Sequence, residues 1–494
     1  MAFMKQSAAA GQAEQGDRFR WLVLVTVTVG VIASLISSTI FNVAIPTLSQ
    51  EFGLGQARAQ WVASIFMLTT TVAMLVTPWL LSRFGYRTSF LCALAVMLLS
   101  AIGGGLATDF ELVLVARAVG GFAAGVIQPL PAIIIMKSFE KHEQGRANGI
   151  FGMGSVLAPA IGPSLGGILV EMAGWRSMFF FIVPFCALAL FMGLKFMSAA
   201  SSENFGNKKQ PLDWTGLSLA TLGTLLLLNG LVTLKDGVVS SELAVAMLLL
   251  SVVCLVSFVF WQLRLISLGR APLMDLRLFA CGPFAAGCLV SLVYGAALFG
   301  STYMLPVFMQ LGLEFPAAVV GTPMLPAGLI LGAVMALAGK NTERVSADVM
   351  VIAGLMVMAA SFMMTGIQQP GTSIWWLIIF TVISRIGLGI MLPSLMLGSM
   401  RPLDKDLIAQ GASVFAYVRV LGGTAGVSLC GILIDWRGNT HGSGQGMSLG
   451  LDAFRDTYML LSILCVLAAF FAFRLRVDRP KAHLPRATDT LKSR

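Results

Sequence analysis

The sequence predicts an all-α polytopic membrane protein with fourteen transmembrane helices, and three observations carry this. Of 494 residues, 57% are hydrophobic and 11% charged, where a soluble domain carries about 25% charged residues. The apolar residues gather into fourteen runs of the ~20 residues that a helix needs to cross a bilayer. Basic residues alternate along the chain. With the N-terminus inside, 25 of the 33 Lys and Arg fall in the two tails and alternate loops, 5 in the opposite loops and 3 within spans. That imbalance follows the positive-inside rule, and an even span number puts both termini on the cytoplasmic side.

Composition also excludes several classes. The net charge of +10 is scattered over short loops, so no basic face for nucleic acid exists. All seven Cys lie within apolar spans without a CxxC or Cys/His cluster, which reads as packing and leaves no metal site or disulfide frame. The three His (142, 441 and 483) sit in loops or the tail, none beside a plausible nucleophile, so an enzyme is not expected.

The elements run as follows. A cytoplasmic tail, 1–20, precedes span one, 21–46, which is too long and too late for a cleaved signal peptide. Span one carries Ser34, Ser37, Ser38 and Thr39 and ends near Asn42; these hydroxyls either back-bond within the helix or line a polar path. Spans two and three, 60–81 and 88–107, meet at Ser82-Arg83-Phe84-Gly85-Tyr86-Arg87, a basic turn in which Gly85 supplies conformational freedom. Span four, 112–136, holds Arg117, with Gln128 three turns on and on roughly the same face. Span five, 147–171, contains Gly162-Pro163-Ser164-Leu165-Gly166-Gly167. Its bare face lets a neighbouring backbone approach, while Pro163 lacks a donor and weakens the helix locally. Span six, 177–197, completes a six-helix half-bundle, 21–197.

A polar, Lys-bearing linker, 198–212, follows. Spans seven and eight, 214–234 and 243–263, form an inserted pair within 213–265. Spans nine to fourteen (280–304, 316–339, 348–367, 373–399, 407–434 and 457–473) form a second half-bundle, 280–473. Tyr294 and Tyr303 lie on span nine, Arg385 on span twelve, Tyr417 and Arg419 on span thirteen. A basic cytoplasmic tail, 474–494, ends the chain. Trp21, Trp61, Trp175, Trp214, Trp261, Trp375, Trp376 and Trp436 stand near span ends, where an aromatic belt is expected.

Two echoes relate the halves. Arg117-Ala-Val-Gly-Gly of span four is echoed by Arg385-Ile-Gly-Leu-Gly of span twelve. Gly167-Ile-Leu-Val with Trp175-Arg176 is echoed by Gly431-Ile-Leu-Ile with Trp436-Arg437. Two parallel six-helix halves around an insertion are a transporter architecture.

Arg117, Arg385 and Arg419 lie deep in apolar runs, whereas every one of the 23 acids lies in a loop or at a span end. An ionised side chain at that depth costs about 2.5–3.5 kcal/mol on insertion scales and marks a pathway or binding site. The competing reading is an arginine satisfied by backbone carbonyls, or one that merely precedes a Gly pair at a close helix crossing.

Five short motifs, in order and on the right spans, make the chain resemble the fourteen-helix drug:proton antiporter branch of the major facilitator superfamily (EmrB/QacA-type) over nearly its whole length. They are Asn42-Val-Ala-Ile-Pro46-Thr, the Ser82–Arg87 loop, Arg117-Ala-Val-Gly120-Gly121, Gly162–Gly167 with Trp175-Arg176, and Arg419-Val-Leu-Gly422-Gly423. The resemblance implies a major facilitator fold and a secondary exporter of small amphipathic molecules. It would work by alternating access around a central cavity drawn from spans one, four, nine, twelve and thirteen, in a bacterial cytoplasmic (inner) membrane. No cofactor is implied; the proton gradient is the energy source.

Two departures matter. The branch carries an Asp in the loop between spans two and three, where this chain has Ser82. It also commonly carries an Asp five residues before the signature Asn, where this chain has Ser37. A hydroxyl does not titrate near neutral pH. Replacement carriers would be peripheral: Asp109, Glu111, Glu171, Glu314, Asp435 or Asp456. Three buried cations without a buried anion favour anionic or neutral substrates. The alternatives are a facilitator without proton coupling and, in another class, a non-transporting receptor or scaffold. The expected partners are a small-molecule substrate and the lipid bilayer. The outer loop Asp435–Asp456, rich in Gly and Ser, is either a flexible connection or a docking site for a periplasmic adaptor protein, as some Gram-negative members of the branch use.

Overall fold

Long apolar runs fold as helices because, in lipid, backbone N–H and C=O groups can bond only to one another. The computed structural model describes residues 2–197, 211–236, 241–315, 323–342, 344–441 and 451–475, and no strand occurs among them. The linker at 198–210, the outer-loop residues 442–450 and the tail at 476–494 lie outside the described residues.

The first part comprises α1 (Ala2–Ile40), α2 (Ile45–Glu51), α3 (Trp61–Gly105), α4 (Phe110–Ile127), α5 (Leu130–Ser138), α6 (Gln144–Ala173) and α7 (Arg176–Phe196). The second comprises α8 (Trp214–Asp236), α9 (Ser241–Ser267), α10 (Gly282–Val307), α11 (Met324–Asn341), α12 (Ala347–Gly366), α13 (Ile374–Met400), α14 (Ile408–His441) and α15 (Leu451–Ala472). Among the described residues, eleven helical stretches are long and apolar enough to cross a membrane. One of them, α3, has 45 residues and is two spans meeting at Gly85, whose φ of 75° and ψ of 173° break the helix. Only glycine adopts that backbone without strain. Gly174, at φ 74°, ends α6 in the same way.

The chain divides into two units, Met1–Lys209 and Gln210–Arg494. In the first, α1 packs on α4, α6 and α7, and α3 packs on α4 and α7. In the second, α10 packs on α13, α14 and α15, while α13 packs on both α11 and α12, and α12 on α15. Matching α1 with α10, the two halves of α3 with α11 and α12, α4 with α13, α6 with α14 and α7 with α15 reproduces each of these pairings. The sequence echoes therefore mark a repeat of the whole six-helix unit.

Small residues set these crossings, because helices in lipid associate by close packing. A Cβ on Gly121 or Gly125 of α4 would strike the backbone of Phe66 or Thr70 on α3. One on Gly422 or Gly426 of α14 would strike Leu292 or Ala296 on α10. The helices α8 and α9 pair with each other, and α8 also packs on α14. Asp213 holds their ends. Its carboxylate accepts from Gly216 N at 2.8 Å, Trp261 Nε1 at 3.0 Å and Gln262 Nε2 at 2.8 Å. Just beyond α9, Asp275 pairs with Arg277 at 2.7 Å, and that hydrogen bond holds the guanidinium above its ordinary pKa.

Two expectations are corrected. Span four is not one helix: α4 ends at Ile127 and α5 starts at Leu130, because Pro129 and Pro131 carry no N–H to continue the ladder. Trp175 is no belt residue. It is 1% exposed and donates Nε1 to Glu51 at 2.6 Å, whereas Trp214, Trp375, Trp376 and Trp436 are exposed.

Candidate functional site

Arg117 sits mid-way along α4 and is 2% exposed. With lipid offering nothing to its five donors, it turns inward to α1 and α3. Its Nε donates to the Val62 carbonyl at 3.0 Å, and its Nη1 donates to the Ser37 carbonyl at 3.0 Å and the Ser37 hydroxyl at 3.1 Å. The guanidinium carbon lies over two aromatic rings, 4.2 Å from the centroid of Phe41 and 4.1 Å from that of Phe66. Its Nη2 has no hydrogen-bond partner. Beside it is a small cavity lined by Ser37, Phe66, Ser100, Arg117, Gly120 and Phe179, among others.

The other polar groups of span one behave differently. Ser34 and Ser38 donate back to the Val31 and Leu35 carbonyls, at 2.8 and 2.7 Å, the intrahelical bonding that such residues adopt. Ser37 alone of the three meets Arg117. Asn42 lies in the exposed turn after α1. Gln128, at the end of α4, is about 16 Å further along the helix than Arg117 at 1.5 Å per residue. It is not among the residues lining the Arg117 cavity.

The second unit repeats the pairing. Arg385 on α13 is 8% exposed, and its Nη2 donates to the Thr302 hydroxyl on α10 at 2.9 Å. Since α13 matches α4 and α10 matches α1, each unit joins the arginine of one helix to a hydroxyl of the same partner. They differ in exposure, for Thr302 faces open space and Ser37 does not. Around Arg385 are buried hydroxyls without hydrogen-bond partners on Tyr294, Ser384 and Tyr458. Tyr294 lies within electrostatic reach of both Arg385 and Arg419. Tyr303 is half-buried beside Thr302.

Tyr417 does not offer a polar tip to a cavity. Its hydroxyl is 2.8 Å from that of Thr224, so it ties α14 to the inserted α8. After each of the three arginines, glycines seat against a neighbour: Gly120 and Gly121 on α3, Gly387 on α12, and Gly422 and Gly423 on α10. The close-crossing reading of these glycines therefore stands beside the charges.

Gly162 and Gly166 of α6 pack against Thr39 and Ile40 of α1, and Gly167 is in ordinary contact with Val43. The helix continues unbroken through position 163. In the turn within α3, Arg83 is exposed. Ser82 donates to the Trp79 carbonyl at 2.8 Å, and Arg87 reaches the Leu194 carbonyl at the end of α7 at 3.5 Å.

Two acids escaped sequence reasoning. Glu51 accepts from Trp175 and Arg176, at 2.6 and 2.9 Å, across a separation no local pattern reveals. Asp348 opens α12 at 5% exposure, and its Oδ1 has no hydrogen-bond partner. Asp109, Glu111, Glu171 and Glu314 are exposed and Asp456 half-buried, with Glu111 paired to Arg58 and Asp456 to Arg437. The side chain of Asp435 lies outside the described residues. Among the described residues, no group of three His, Cys, Asp or Glu could hold a metal ion.

The model of the Major Facilitator Superfamily matches residues 27–427. The multidrug export protein EmrB of Haemophilus influenzae is 26% identical, over 83% of this chain and 79% of its own. The lincomycin resistance protein LmrB of Bacillus subtilis is 24% identical, over 92% of this chain and 96% of its own. The crystal structure of the human organic anion transporter MFSD10 superposes with a TM-score of 0.64 at 15% identity, covering 92% of this chain and 99% of that one.

Proposed function

The chain belongs to the Major Facilitator Superfamily, with relatives in its drug:proton antiporter branch, and on that premise we propose that it exports small anionic or neutral amphipathic molecules. The export is driven by the proton gradient across a bacterial cytoplasmic membrane, through fourteen spans with both termini inside. Members of the superfamily are transporters and not enzymes, and relatives named for multidrug export and lincomycin resistance support the outward direction.

One observation carries the substrate class: Arg117 meets a hydroxyl at Ser37, where the resembled branch commonly has a carboxylate. A carboxylate there would neutralise Arg117 and offer a negative site to a lipophilic cation. Ser37 does neither. Arg385, buried behind the open hydroxyl of Thr302, and Arg419, partly exposed on α14, add positive charge to the second unit. Guanidinium groups with neighbouring hydroxyls suit carboxylate or sulfonate recognition.

The same observation supports a second reading, a facilitator driven by the substrate's own gradient, because the expected proton carrier is missing. Proteoliposomes separate the two. With ΔpH imposed, an antiporter accumulates a labelled aromatic acid against its gradient and stalls when a protonophore dissipates ΔpH. A facilitator only equilibrates and ignores the protonophore.

A further inference from the structure

We propose that the cavity beside Arg117 is a binding site for a small monovalent inorganic anion, chloride in the cell, which supplies the negative charge that residue 37 does not. The proposal concerns a resident ion rather than the transported substrate; with that ion bound Arg117 is neutralised, so the charge preference proposed above belongs to the chloride-free site, and ion binding is tested apart from transport.

A guanidinium does not shed its proton in a protein, and a buried cation without an opposite charge is strongly disfavoured. Around Arg117 the compensation is neutral: two backbone carbonyls, one hydroxyl and two ring faces. No carboxylate is among the groups that bond to Arg117 or line the cavity beside it. Nη2 keeps its donors, having no partner while 98% of the residue is buried.

The cavity has the chemistry that a halide needs. Arg117 and Ser37 bring donors to its wall, Ser100 Oγ gives its hydrogen to the Met97 carbonyl at 2.8 Å, and Phe66, Phe179 and Ile182 are among the apolar lining. Ser37 Oγ accepts from Nη1, which leaves its hydrogen available to an anion. The void holds roughly one water-sized body, so a chloride, slightly larger than water, enters with a small outward shift of the lining, whereas a carboxylate with its carbon skeleton is far larger than the space. Gly120 also lines the cavity, and a Cβ there would stand 2.9 Å from Ser100 Oγ, so the space depends on glycine at that position.

The test uses the purified full chain in detergent at neutral pH and constant ionic strength. Thermal unfolding is followed in sodium chloride against sodium gluconate, and binding of radiolabelled chloride is measured directly. Chloride and bromide are expected to raise Tm saturably by a few degrees, gluconate to leave it unchanged, and labelled chloride to bind at one site per chain. Ser37→Asp tethers an anion in its place. It is expected to unfold in gluconate at the temperature that the wild type reaches in chloride, with no further response to chloride. Gly120→Ala fills the cavity without touching the Arg117 bonds and is expected to lose both the response and the binding. Equal wild-type Tm in the two salts with no saturable chloride binding would overturn the proposal. So would a chloride response that survives in either variant, which would put the ion elsewhere.

Discussion

Arg117 Nη1 donates to both the carbonyl and the hydroxyl of Ser37, at 3.0 and 3.1 Å. The span-four arginine and the position where the resembled branch has its span-one acid are therefore in direct contact. What differs in this chain is the charge of the contact and not its existence. The geometry also ranks its parts. The Ser37 hydroxyl is one acceptor of three, and the carbonyls of Val62 and Ser37 persist whatever side chain occupies position 37.

Ser37→Ala is accordingly expected to cost about 0.5–1.5 kcal/mol of stability, the worth of one hydrogen bond. Arg117→Lys should cost more, about 2–4 kcal/mol. An ammonium cannot reach Val62 and Ser37 together or spread over the rings of Phe41 and Phe66. Denaturant unfolding of the two variants in one detergent checks the order, and a lysine variant as stable as the wild type would contradict it.

In the Arg385–Thr302 pair the arginine is buried and the threonine exposed. Thr302→Val should leave folding within about 0.5 kcal/mol, as for other exposed substitutions. It should nevertheless lower transport of an anionic substrate several-fold and spare a neutral one. Arg385→Gln should lower the anion further. Initial rates in proteoliposomes, with circular dichroism as the folding control, read the difference.

Glu51 binds Trp175 and Arg176, joining the end of α2 to the start of α7. Glu51→Gln keeps an acceptor for Trp175 but loses the charge facing Arg176. Glu51→Ala leaves the buried Trp175 N–H without an acceptor. A loss of about 0.5–1 kcal/mol for the first and about 1–3 kcal/mol for the second is expected, measured by thermal unfolding. Equal effects would mean that the indole bond contributes nothing.

Neighbouring glycines of α6 separate tight packing from bare surface. A Cβ at Gly166 would sit 2.7 Å from the Ile40 carbonyl, whereas one at Gly167 meets only Val43 Cγ1 at 3.9 Å. Gly166→Ala should lower both stability and transport, and Gly167→Ala should be tolerated or slightly stabilising. Matched impairment would show that the face acts through conformational freedom and not through contact with α1.

Much of this fold was legible in the sequence because lipid imposes a simple rule: apolar runs of bilayer length become helices. The repeat was legible as well, since Arg117 and Arg385, and the Gly-rich runs after them, recur at matching places. What the sequence hid was pairing at a distance. Nothing local to Ser37 says that it, and not Ser34 or Ser38, meets an arginine eighty residues on. Nothing around Trp175 announces Glu51, and Tyr417 looked like a cavity wall until Thr224 of the inserted pair proved to be its partner. The break at Gln128 was readable from Pro129 and Pro131, but continuous hydrophobicity masked it. Asp348 was passed over because a span-end acid looks interfacial, and only tertiary packing buries it.

The central claim is that a hydroxyl at position 37, opposite Arg117, sets the charge of what is carried. Its most direct measurement is transport by proteoliposomes of a matched panel, an aromatic acid, a neutral analogue and a lipophilic cation, for wild type and Ser37→Asp in chloride-free gluconate buffer under one imposed ΔpH. The account predicts that the wild type carries the acid and the neutral compound well ahead of the cation, and that Ser37→Asp shifts the preference toward the cation by about tenfold, the ratio that ~1.4 kcal/mol of differential binding gives. Comparable rates for cation and acid in the wild type, with no change in Ser37→Asp, would contradict it.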